Sequence, residues 1–479
     1  MKTILLTIDH GLTLAYFLYT DVARLWLEKG VRLVFLVEDE LIPWLRQEFG
    51  SVDHLVFDSA REVEASQYKN TYRPALQELM EYMRKSTASP RIPLTYVDTH
   101  RQRKEFEAEG RWKFYLRAAR PAISLLRHSR LLRRSFRHLQ STLFTPRIYE
   151  DLLDQYRPDL LISGSAGWKQ DCYILREAKR RGIKTATMII GWDNPSAHGL
   201  PGANVDYVNV WSDIHKWELN AGLDWPAKNI HVGGMPLYDN YIDKKWLMPR
   251  QAYFDVHKLD SQKPLIAYVA TALSISPNLH IVELLTDIVR QQKLAVPVQL
   301  LIRLHPNHFR PTPHYQKERA EIYRVVGDCA NVRIAAPTAL ANEAIRYSGT
   351  DFPEKASMLA YCDVLVSIYS TMVLEAALHD KPIISACIDS PEGWPGHFWI
   401  PLSQVPSWPT ASRVNRAGAS TTVFTSDELI TALNAYLKQP GLHASGRQQF
   451  AQQELTYLHG EATQKTADFI LSLLGISHE

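Results

Sequence analysis

Short apolar runs alternate along the chain with longer runs of helical period. Ile4–Ile8 reads as a buried strand. Thr13–Lys29 reads as a helix with Leu14, Phe17, Leu18, Val22, Leu25 and Trp26 on one face, closed by Gly30. Arg32–Val37, Leu160–Ser163, Lys184–Ile190 and Tyr207–Trp211 read as further strands. The alternation breaks at the turn-rich Val232–Pro236 and the polar stretch from Pro249 to Lys263. It then restarts with strands at Leu265–Val269, Val298–Arg303, Val332–Ala335, Asp363–Ser367 and Pro382–Cys387, and helices such as Leu279–Gln292 and Thr371–His379. Strands separated by helices predict βαβ units and parallel sheets. The expected layout is two doubly wound α/β domains joined near residues 235–250, over residues 1–235 and 236–439. A helical segment at 440–479 follows them.

One stretch departs from this rhythm. Residues 101–137 hold twelve Lys or Arg against three Glu, with Trp112, Phe114, Tyr115, Leu125, Leu131 and Leu132 interleaved. It predicts a helical insertion in the first domain, over about residues 100–157. The segment is either a solvated helical cover or a basic amphipathic surface for an anionic membrane or a polyanionic acceptor. No nucleic-acid motif accompanies it, so no nucleic-acid partner is expected.

Composition narrows the class. The chain has 479 residues, 46% hydrophobic and 22% charged, which excludes a disordered or fibrous protein. A net charge of +3 argues against a wholly basic nucleic-acid coat. The four cysteines, Cys172, Cys329, Cys362 and Cys387, form no C-x-x-C and fit a reducing compartment. Neither a secretory signal nor an 18-residue apolar stretch is visible, so a cytoplasmic protein is expected, able to touch a membrane surface.

The candidate chemistry lies after strands, where ligands of open α/β sheets bind. Arg303-Leu-His305-Pro306 ends one strand; a cation and an imidazole there can grip a phosphate, or His305 can be a structural loop residue. Ser370-Thr371 opens the helix after Asp363–Ser367, either as plain capping or as a phosphate site at the positive helix end. Glu375, one turn on, could accept bonds from ribose hydroxyls. In the first domain, Asp9-His10-Gly11 follows the first strand. There His10 could be a general base with Asp9 orienting it and Gly11 allowing close approach, or the group could merely cap a helix. Gly191-Trp192-Asp193-Asn194 follows another strand; Trp192 could stack on a sugar and Asp193 and Asn194 bond its hydroxyls, or the loop is an Asx turn packed by Trp192. There is no G-x-G-x-x-G, no P-loop and no D-x-D, so dinucleotide, NTPase and metal-held diphosphate readings lose support.

The R-x-H-P passage, together with Asp363-Val-Leu-Val-Ser-Ile-Tyr-Ser-Thr-Met-Val-Leu-Glu375, resembles the second half of GT-B glycosyltransferases. The similarity is to bacterial surface and capsular polysaccharide enzymes: the CDP-glycerol glycerophosphotransferase, polysialyltransferase and capsule Kdo transferase group. Gly233-Gly-Met-Pro-Leu-Tyr-Asp239 is similar to their inter-domain G-x-P-x-x-D, and Gly191-Trp-Asp-Asn194 to a W-D-N loop. The resemblance implies two Rossmann-like domains facing a cleft, with Arg303, His305, Ser370 and Thr371 on the donor phosphates and Glu375 on the nucleotide's sugar. It implies an inverting, metal-independent transfer of a sugar from a nucleotide-activated donor to a surface glycan or lipid-linked acceptor, with no further cofactor. A polyol-phosphate transferase, a UDP-sugar 2-epimerase and a non-catalytic scaffold share the same fold.

Overall fold

The computed structural model describes residues 1–9, 11–272, 276–309, 311–335, 351–393 and 396–476. Two compact units emerge: Met1–Asp239 with Leu455–Glu479, and Asn240–Glu454. In the first, seven strands form one parallel sheet: β1 (Thr3–Thr7), β2 (Arg32–Val37), β3 (Leu55–Ser59), β4 (Leu160–Ser163), β5 (Lys184–Met188), β6 (Tyr207–Val210) and β7 (Ile230–Val232). Their order is β3-β2-β1-β4-β5-β6-β7. The chain winds outward from β1 to β3, then crosses back to lay β4 on the other side of β1, in register Ile4 to Leu160. The central strands are buried on both faces, which is why they read as continuous apolar runs.

The second unit repeats the plan with six strands: β8 (Leu265–Val269), β9 (Gln299–Arg303), β10 (Val332–Ala335), β11 (Val364–Ser367), β12 (Ile383–Ala386) and β13 (Thr421–Val423). Their order is β10-β9-β8-β11-β12-β13, all parallel. Its core joins Ile266, Tyr268, Leu300, Ile302, Val364 and Val366 to helix residues Ile281, Leu285 and Leu429. Each sheet therefore has one point where the winding reverses: between β1 and β4, and between β8 and β11.

Several elements differ from the sequence expectation. The helix expected over 13–29 is two, Gly11–Leu18 and Val22–Glu28, because Thr20 and Asp21 interrupt it and the Thr20 hydroxyl turns back to the Tyr16 carbonyl (2.6 Å). The crossover from β3 to β4 holds helices and their connecting loops but no strand, so the helical insertion begins before residue 100, with helices from Glu62 onward. The segment 440–479 is divided. Helix Ala444–Glu454 stays in the second unit, where Glu454 pairs with Arg413 (2.6 Å). Helix Ala462–Leu473 returns to the first, where Ala467 O accepts from Trp26 Nε1 (3.2 Å) and Thr466 Oγ1 from Asn209 (3.0 Å). Among the described residues no helix is long and apolar enough to cross a membrane.

Candidate functional site

In the first unit the reversal between β1 and β4 carries a cavity of about 270 Å³. Thr7, Ile8 and Asp9 reach it from the end of β1, Leu36 from β2, Lys169 and Gln170 from the loop after β4, and Asp171 from the start of the helix that follows. Asp9 accepts from Thr13 Oγ1 (3.0 Å) and pairs with Lys169 Nζ (2.7 Å). The two strand ends meet closely because residue 164 is glycine: a Cβ there would stand 2.6 Å from the Thr7 carbonyl and 3.1 Å from Asp9 Oδ1. Glu62, at the start of helix Glu62–Thr71, lies on the cavity's rim. Partial desolvation, with the Asp9 charge adding to it, raises the Glu62 pKa above the usual carboxylate value. Sequence reasoning missed both Glu62 and Lys169. Gly11 is buried as the first residue of its helix. His10 lies outside the described residues.

The Trp192 loop is tightly folded. Trp192 is 2% exposed and its carbonyl meets His215 Nε2 (2.9 Å). Asp193 takes the N-cap position of the one-turn helix Asn194–Ala197. The indole thus stands in the core in this conformation, while Asp193 and Asn194 are half-buried.

In the second unit the reversal falls between β8 and β11, which pair from Val364–Ile266 to Ser367–Val269. Ser370 holds the N-cap position of helix Thr371–Leu378 with extended backbone (φ −131°, ψ 173°). Its side chain makes no capping bond; the hydroxyl lies 3.3 Å from Ser367 Oγ. The cap hydroxyl therefore takes none of the first N–H groups; the Ser370 carbonyl accepts from Val373 N (3.0 Å), which leaves the amides of Thr371 and Met372 at the opening beside two half-buried hydroxyls. That is the arrangement in which helix ends hold phosphate.

The neighbouring charged residues are engaged elsewhere. Arg303, at the end of β9, is 4% exposed and pairs with Asp351 (2.7 Å) and Glu354. Burial would raise the Glu354 pKa, but Arg303 and the His257 bond (2.9 Å) bring it below the usual value. His305 is half-buried, and its Nδ1 accepts from the Asn307 amide (3.1 Å). Its loop is anchored by His308, fully buried against Glu318 (2.8 Å). Glu375 is 4% exposed, accepting from Tyr241 Oη (3.1 Å) and pairing with Lys355 (3.1 Å). The fold thus sets His305, Ser370 and Thr371 on the carboxyl ends of β9 and β11, on either side of β8. It commits Arg303 and Glu375 to buried ion pairs within the unit.

No protein-family profile matches the chain, and no curated protein matches it significantly. Solved structures do. A glycosyltransferase from Rickettsia africae superposes with a TM-score of 0.53 at 11% identity, covering 99% of both chains. The UDP-GlcNAc 2-epimerase of Neisseria meningitidis, solved with UDP-GlcNAc, gives 0.53 at 13%, covering 98% of this chain and 100% of that one. MnaA of S. aureus, solved with UDP, gives 0.53 at 11%, covering 100% and 98%. At such identities the likeness speaks to fold: two Rossmann-like domains of the GT-B type.

Proposed function

We propose that the chain is a GT-B glycosyltransferase of the surface-polysaccharide kind, moving a sugar from a nucleotide-activated donor to a glycan or lipid-linked acceptor. The observation that carries this reading is the helix Thr371–Leu378, opening at the β8/β11 reversal with its cap hydroxyl turned away from its own N–H groups. A diphosphate set there receives backbone donors, the hydroxyls of Ser370 and Thr371, and the positive helix end. His305 stands on the next strand but one. Arg303 supports the site by fixing the strand end, and Glu375 by fixing the helix.

The acceptor hydroxyl enters the cavity at Asp9. Its proton passes to His10, oriented by Asp9, or to Glu62, whose raised pKa suits a base. The oxygen then bonds to the sugar's anomeric carbon as the bond to the nucleotide phosphate breaks, the electron pair leaving with the phosphate. Inversion follows from this single displacement. The helix end meets the leaving charge, so no metal is needed.

Exposed Phe114, Leu125 and Leu131 beside Arg111, Arg117 and Arg134 suit an anionic inner membrane face, where a lipid-linked acceptor would lie. The epimerase reading is favoured by the likeness to the Neisseria enzyme and differs in one product: an epimerase converts UDP-GlcNAc with no acceptor present.

Titrating CMP, CDP, UDP and GDP against thermal stability tests the donor site, since a bound nucleotide raises the melting temperature by mass action. One nucleotide is expected to stabilise the protein, and activity is expected to survive EDTA. Indifference to all four sinks the reading; abolition by EDTA with rescue by Mg²⁺ sinks its metal-independent form.

A further inference from the structure

Beside the Asp9 cavity, and sharing Lys169 and Gln170 with it, the first unit holds a second pocket of about 200 Å³. Its wall is cationic. Lys69, Arg84, Lys85, Lys169 and Arg176 line it, against the single carboxylate of Glu81. These residues come from three helices and the loop after β4, so no local spacing announces them.

Two of the cations are buried without an ionic partner. Arg84, 4% exposed, donates only to the carbonyls of Leu200 (2.7 Å) and Trp168 (3.2 Å). Arg176, 6% exposed, donates to the carbonyls of Gly202 (2.6 and 2.9 Å) and Phe144. Among the described residues neither forms an ion pair with a carboxylate. Burying a cation against neutral groups alone is costly, and a bound anion removes that cost. Gln140, 4% exposed, also lines the pocket with its Oε1 unpartnered; turned over, the amide offers N–H groups instead. Helix Asp171–Arg180 brings Cys172, Tyr173 and Arg176 to the wall from its first two turns, adding its positive end. Burial raises the Glu81 pKa, but Lys85, Arg84 and Lys69 override it and hold the carboxyl well below the usual range. The pocket's potential is therefore positive even with Glu81 in it. Lys69 and Lys85 remain partly exposed, at 37% and 29%, so an ion can enter.

We propose that this pocket binds an oxyanion group, phosphate or carboxylate, carried by the acceptor, while the reacting hydroxyl of the same molecule occupies the Asp9 cavity. The acceptor is thereby an acidic or phosphorylated glycan; this part rests on the transferase reading above. The shared Lys169 is the link between the two subsites.

Arg84 and Arg176 are too buried to replace safely, so the test uses Lys69→Gln/Lys85→Gln, two lysines that both pair with Glu81. The full chain, with whichever of CMP, CDP, UDP and GDP stabilises it held at saturation to fill the nucleotide site, is titrated with inorganic phosphate, with glucuronate and with chloride at constant ionic strength, following the melting temperature. Wild type is expected to show saturable stabilisation by phosphate or by glucuronate beyond chloride, and whichever binds tighter identifies the group. The double variant should need about tenfold more of that anion or beyond, the loss of at least one charge-assisted bond, with its nucleotide response unchanged. Equal response to all three anions, or identical titrations of variant and wild type, overturns the pocket. A protein that ignores CMP, CDP, UDP and GDP alike but binds phosphate through Lys69 and Lys85 keeps the pocket and loses the donor reading.

Discussion

The two winding reversals handle charge in opposite ways. Around β8/β11 the buried charges are answered: Arg303 by Asp351 and Glu354, Lys355 by Glu375, and the Glu318 carboxylate by a hydrogen bond with the His308 ring. What the site presents is a helix end and hydroxyls. Around β1/β4 Asp9 pairs with the half-exposed Lys169, but the most deeply buried charges meet neutral groups. Arg84 and Arg176 hold carbonyls, and fully buried Glu177 accepts only the Tyr149 amide (3.3 and 3.4 Å). Desolvation pushes the Glu177 pKa up to about 7, against the lowering effect of that amide. A site of dipoles can release a product that is itself multiply charged. A site of unmatched cations stays poised for an anion that arrives from outside.

The contrast breaks most sharply at Arg303. Arg303→Ala strands two buried carboxylates, so urea unfolding should register a loss of about 3–5 kcal/mol. An unchanged midpoint would mean that Arg303 is not structural and is open to a phosphate. In the first unit Glu177→Gln should act in the other direction. Between pH 4.5 and about 7 native Glu177 holds a proton that the unfolded chain has lost, so its own contribution to stability falls as pH rises through that window. The variant's advantage over wild type should grow through that window, from little difference at pH 4 to about 2–3 kcal/mol at pH 8. Parallel pH–stability curves would place Glu177 in a wetter setting than its burial implies.

Smaller effects sharpen the comparison. Thr371→Val should cost about 1.5 kcal/mol of nucleotide affinity, roughly tenfold by calorimetry, with the melting temperature of the free protein nearly unchanged. If affinity is untouched, the diphosphate lies elsewhere. Arg111→Ala and Arg134→Ala should each remove about 1 kcal/mol of binding to anionic vesicles at low salt, fading as salt rises. Vesicles that never bind wild type would reduce the insertion to a cover for the first unit.

The fold was legible where burial is deepest. Central strands β1, β2, β4, β8, β9 and β11 stand as uninterrupted apolar runs. The strands not foreseen, β3, β7 and β13, are all edges, only partly buried and short of apolar signal. The helix end at Ser370-Thr371 was readable because strand, turn and hydroxyls are contiguous. The pairing of Arg303 with Asp351 and Glu354 was not, since about fifty residues separate the partners. Excess charge at 101–137 was plain, but not its division. Arg133 is buried on Asp224 (2.7 Å) and Arg127 ties Ser86 O to Asp98, whereas Arg111, Arg117 and Arg134 face solvent. A charge count cannot separate a strut from a surface.

The return of helix Ala462–Leu473 to the first unit bears on how the protein is made. Domains generally fold as units during synthesis, the earlier one first. Here the sheet that begins at Thr3 keeps the Trp26 indole and the Asn209 amide waiting for Ala467 and Thr466. The second unit, Asn240–Glu454, is complete in the chain before those partners emerge. The part translated first is therefore finished last.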